Sequence, residues 1–142
     1  MGDLSDADPV GEVIWRLRNS AEAEEILGGP DRVAGLMEEP WPPLRVSPGS
    51  TGEMSLMRGR MVHEVTLELY GPMDGSIGSA ALWRIMARLL ILAGDFPDQP
   101  HPPGRAVFSR ANVQGGITRQ PLTNGQLRYI TTLNVTLLPP QQ

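Results

Sequence analysis

Cysteine is absent from the 142-residue chain, which excludes disulfides, thiolate chemistry and cysteine metal sites. Histidine is almost absent, with His63 and His101 far apart in the chain. No stretch is long and uncharged enough to span a bilayer. The best one, Ile77 to Ala93, is broken by Arg84 and Arg88. Met1 to Asp8 is acidic and polar and does not read as a secretion signal, so a soluble cytoplasmic protein is expected. The Asn134-Val135-Thr136 sequon carries no weight without such a signal. An excess of basic charge is missing too. The net charge of -4 argues against a general nucleic-acid binder, which needs a basic patch, though not against a protein that lets DNA pass ungripped.

What is present is globular. Hydrophobic residues make up 40% of the chain, enough for one domain over residues 1–142 with a real core. The expected layout is a short acidic tail (1–8), a helix capped by Asp8-Pro9, and a second helical piece over Ala21 to Leu27 that Gly28-Gly29-Pro30 stops. Leu44-Arg45-Val46 reads as a short strand between prolines. Residues 47–59 show no clear period and read as a long loop, with more apolar surface (Met54, Leu56, Met57) than a solvated loop needs.

Met61 to Tyr70 alternates, with Val65, Leu67 and Leu69 on one face and Glu64, Thr66 and Glu68 on the other, and so predicts a half-buried strand. A helix follows, capped by Ser76 or Ser79. Leu82, Ile85, Met86, Leu89 and Ala93 form its main apolar face, and Trp83, Leu90 and Leu92 widen it beyond what one sheet would cover. Arg105 to Val113 reads as a strand interrupted at Gly115-Gly116. Thr123-Asn124-Gly125 is turn chemistry, and Leu127 to Leu138 is a long strand. The fold class expected is α+β: a mostly antiparallel four-stranded sheet with helices packed on it, in the order α-β-β-α-β-β.

Chemical motifs are weak. Leu67 to Trp83 has a strand, glycine-rich turn, helix layout, but it lacks the Lys-Ser/Thr of a P-loop and the spacing of a dinucleotide fingerprint. Asp74 would also sit where a phosphate belongs. His63-Glu64 begins like a zincin motif, but position 67 is Leu and the stretch is a strand. No G-x-S-x-G elbow occurs. Arg105, Arg110, Arg119 and Arg128 read as strand-face and rim charges sooner than as a DNA-reading surface. The expectation is no enzyme, no cofactor and no metal. A small α+β enzyme or ligand-binding domain stays open as an alternative.

The order of elements is informative. An N-terminal helix leads to the Pro-flanked strand Pro43-Leu44-Arg45-Val46-Ser47-Pro48. The alternating strand Val62 to Tyr70, a small-residue turn, the helix Ala80 to Leu90 and two closing strands with arginine-bearing ends follow. Over roughly Val10 to Leu138 this resembles the tail terminator (tail completion) proteins of long-tailed bacteriophages. The resemblance implies a structural virion protein: a homo-oligomer, a hexameric ring, that caps the tail tube protein and joins it to the head–tail connector protein. DNA would pass through the pore without specific binding, and no membrane is involved. It implies assembly in the host cytoplasm and a final place at the tail–head junction of the virion. Another head–tail connector or tail-tube ring protein fits the same pattern. Met54, Leu56, Met57, Arg58 and Arg60 are the expected subunit or partner contacts.

Overall fold

The computed structural model describes residues 8–29, 32–35, 43–49, 54–57 and 60–139, with the backbone alone for 54–57. Helix α1 spans Pro9–Arg18, with Asp8 in the extended N-cap conformation and proline at the first helical position. Helix α2 spans Ala21–Leu27. The Ser20 side chain accepts from the Ala23 N–H at its start, and Gly28 ends it in the left-handed region at φ 83°. Strands β1 (Val33–Ala34), β2 (Leu44–Pro48), β3 (Met54–Met57) and β4 (Arg60–Tyr70) come next, then α3 (Ser79–Gly94) and a short 3-10 turn at Phe96–Asp98. Strands β5 (Val107–Arg119) and β6 (Arg128–Leu138) close the fold.

The α+β class holds, but the described residues contain six strands where four were expected, and the sheet is mixed. Its order is β1-β2-β4-β6-β5, and only the β1–β2 pair is parallel. Strand β6 covers one side of β4 from Met61 to Tyr70, so β2 and β3 run end to end along the other side, at Val65–Leu69 and Arg60–His63. The long loop expected over 47–59 is therefore corrected. Residues 54–57 form a strand, with Met54 opposite His63, Leu56 opposite Met61 and Met57 opposite Arg60. A four-residue strand is too short to show a period, and pairing with β4 defines it.

The interruption expected at Gly115-Gly116 is also corrected. Strand β5 continues to Arg119 through an irregularity between Gln114 and Thr118, where Gly115 takes φ 84°. That is a bulge: glycine supplies a backbone shape that costs other residues dearly. The Thr131 hydroxyl donates to the Gly116 carbonyl across it at 3.0 Å. The expected serine cap of α3 is replaced by Gly78, which gives no side-chain bond, because Ser79 already lies inside the helix and its hydroxyl meets the Tyr129 hydroxyl at 2.8 Å.

Strand β6 alternates without a break, burying Tyr129, Thr131, Leu133, Val135 and Leu137. Across the register these align with Leu69, Leu67, Val65, His63 and Met61 of β4, so one sheet face is the core face. Helix α3 buries Leu82, Met86, Leu89, Leu92 and Ala93 in the same core, and α1 adds Val13 and Leu17. Leu82, Met86 and Leu89 are buried as expected, while Ile85 is half-buried and Trp83 is exposed.

Candidate interaction surfaces

The opposite sheet face carries no helix among the described residues and is polar. Its rows follow from register: Arg45, Glu68, Ile130 and Thr118; Ser47, Thr66, Thr132 and Gln114; Glu64, Asn134 and Asn112; Val62, Thr136 and Arg110. Hydroxyl and amide side chains dominate it. Towards its β3 end, Arg60, Ser109, Arg110, Asn112, Gln114, Asn134 and Thr136 line a trough of about 510 Å³. Arg60 therefore lies on this face, exposed. Met54, Leu56 and Met57 are placed by backbone pairing alone, and Arg58 lies outside the described residues.

At the other end of this face the polar groups are tightly held. Glu68 is buried, and its carboxylate accepts from Arg45 Nη1 at 3.4 Å, Arg128 Nη1 at 3.2 Å and the Tyr70 hydroxyl at 2.8 Å. Burial, followed by the bond to Glu68, pushes the Tyr70 phenol above its usual range, which keeps it a donor. Both arginines are anchored further, Arg45 Nε on the Gly35 carbonyl and Arg128 Nε on the Gln120 carbonyl. Alternation put Glu68 on the polar face of β4, but two partners from distant strands could not be read without the register.

An apolar groove of about 630 Å³ lies where α2, the start of α3, the end of β4 and the β5–β6 turn meet. Leu27, Pro43, Leu69, Ile77, Leu82 and Leu122 are among its lining residues. The glycine-rich turn between β4 and α3 forms its rim. Asp74 Oδ1 accepts from the Ser76 N–H, which holds this exposed carboxylate below its usual range, and Gly75 sits at φ 70°. The loop folds on itself and presents a carboxylate, as a turn does.

A third polar cluster joins α1 to the connection before β5. Arg16 is buried; Nη1 donates to the Pro100 carbonyl at 2.8 Å, and the guanidinium lies 5.5 Å from the Phe108 ring centroid. Arg105 stacks over Trp15 at 4.0 Å and pairs with Glu12 at 3.0 Å. His101 packs beside them. Burial, and then the Arg16 charge, hold its pKa below the ordinary 6.5 against the opposing bond to the Phe108 backbone. A native His pKa below the unfolded value means that protons favour the unfolded state. Stability from this contact is present above pH 6.5 and is lost as pH falls from there towards the native value. Thermal melts from pH 8 down to pH 5 should show a falling Tm that is flattened in His101→Gln. Equal slopes for both proteins would remove His101 as the cause.

His63 and His101 come from separate parts of the fold, and among the described residues no three His, Asp or Glu side chains gather as a metal-binding group. Among them, no helix is long and apolar enough to cross a membrane. Compared with known proteins, the chain matches no family model and no curated relative.

Proposed function

We propose that the chain is a ring-forming structural protein of a phage tail, a tail terminator that caps the tail tube and joins it to the head connector at the tail–head junction. The observation that carries this reading is the broad sheet face that carries no helix among the described residues and is rich in threonine, asparagine and glutamine. Such a face hydrogen-bonds water, and the arginines at one end of it, Arg45 and Arg128, are held on Glu68, which suits a channel wall that must not grip DNA. The net charge of -4 works in the same direction. Closed rings arise from head-to-tail contacts whose rotation closes, and the outer edges of β5 and β3 give each copy two different surfaces for them. No chemistry is required of the chain in this role. Another neck or tail-tube ring component would share these surfaces.

Native mass spectrometry of the purified chain should find a discrete species at six times 15.5 kDa. A chain that stays monomeric up to millimolar concentration would end the ring reading. A second reading, a small-ligand-binding domain, is favoured by the 630 Å³ apolar groove. It expects a monomer that binds an apolar probe dye with one-to-one saturation, lost on Leu82→Trp.

A further inference from the structure

The outer face of α3 is unusual for a surface helix. Trp83 and Ile91 are 48% and 70% exposed, and Arg84 and Arg88 stand beside them. Positions 80, 83, 84, 87, 88 and 91 fall on one continuous arc opposite Leu82, Met86 and Leu89. Ala80 and Ala87 lie within the arc, so a second backbone can approach closely. There is no acidic residue anywhere in α3. The outer face of α2 is the reverse: Glu22, Glu24 and Glu25 are exposed, with no basic residue in the helix. Among the described residues, none of these five charged side chains has an ion-pair partner within its own chain.

We propose that the α3 outer face of one copy docks on the α2 outer face of the next, as a head-to-tail contact of the assembly. This rests on the ring reading above and adds the surface and the occupant. Trp83 and Ile91 supply the apolar anchor that contacts of this kind need at their centre. Arg84 and Arg88 supply planar forks suited to carboxylates. Because the two patches differ, each copy keeps one of each kind free until the ring closes.

A charge swap tests it, with sedimentation velocity of the full chain over a concentration series. Arg84→Glu with Arg88→Glu places like charges face to face and should weaken assembly on the order of a hundredfold. Glu22→Arg with Glu25→Arg should do the same, and the chain carrying all four changes should return to within about tenfold of the parent. Circular dichroism checks the fold of each. If α2 does not tolerate arginine, Glu22→Gln with Glu25→Gln offers a milder loss of the same sign, and Trp83→Ala tests the anchor separately. An assembly indifferent to all these changes overturns the contact and leaves the ring. A discrete dimer that obeys the swap keeps the contact and overturns the ring. A monomer throughout overturns both.

Discussion

Phe108→Ala should destabilise the fold by about 3–5 kcal/mol and lower Tm on the order of 10 °C. Phe108 is 1% exposed, its ring centroid lies 5.2 Å from that of Phe96, and the Arg16 guanidinium sits against it. Truncation opens a cavity at the seam between α1, the Phe96 turn and β5, and it also strips a buried cation of its aromatic neighbour. Phe108→Leu, which keeps most of the volume, should cost about 1–2 kcal/mol. Equilibrium denaturation measures both. Equal costs would mean that neither ring shape nor the cation matters at this site.

Glu68→Ala is expected to cost about 2–4 kcal/mol, because breaking a buried ion pair from one side leaves its partners uncompensated. The lower part of that range reflects the partners' access to water: the Arg45 and Arg128 side chains are 36% and 20% exposed. Glu68→Gln retains the shape and an acceptor and should recover roughly half the loss. The urea midpoint should move while the slope stays constant. A shift of under about 0.5 kcal/mol for the alanine variant would show that solvent replaces the cluster without cost.

Much of the architecture was legible where a pattern ran long enough. Asp8-Pro9 marks a helix start through chemistry confined to a few residues, and α2 falls on the residues that the sequence pattern picks out. Strand β4 announces itself by ten or so residues of alternation, β6 reads as a long strand, and both pair antiparallel in a sheet that was expected to be mostly antiparallel. What escaped depends on partners distant in sequence. Strand β1 is two residues long and is held by its parallel pairing with β2 and by the Arg18 side chain on the Val33 carbonyl. Strand β3 is likewise defined by β4. Gly115-Gly116 looks like an end in sequence and is a bend in space, because a bulge and a break use the same residue.

The surfaces were less legible than the fold. Of the five expected contact residues, Arg60 lies on the open sheet face, Met54, Leu56 and Met57 belong to a paired strand, and Arg58 falls outside the described residues. The broad apolar arc expected on α3 was visible, and helical spacing puts Ile91 on the far side beside Arg84 and Arg88, yet the exposure of Trp83, expected to widen the apolar face, needed the helix's position on the sheet. The Glu68 cluster combines residues 45, 68, 70 and 128, and the Arg16 cluster combines residues 12, 15, 16, 100, 101, 105 and 108. Neither has a spacing that a linear scan could detect.

Strand β6 follows both β4 and β5 in the chain, yet it lies between them in the sheet. During synthesis, α1, α2, β4 and α3 therefore leave the ribosome before the strand that completes their core exists. Until Tyr129 to Leu137 emerges, Leu67, Leu69, Leu82 and Met86 lack one wall, and one whole side of β4 is an open template. The growing chain passes through a sticky interval that ends only when the β5–β6 hairpin inserts. Slow translation over residues 107–138 should lengthen that interval and raise the demand for chaperones, while the mature domain stays unchanged.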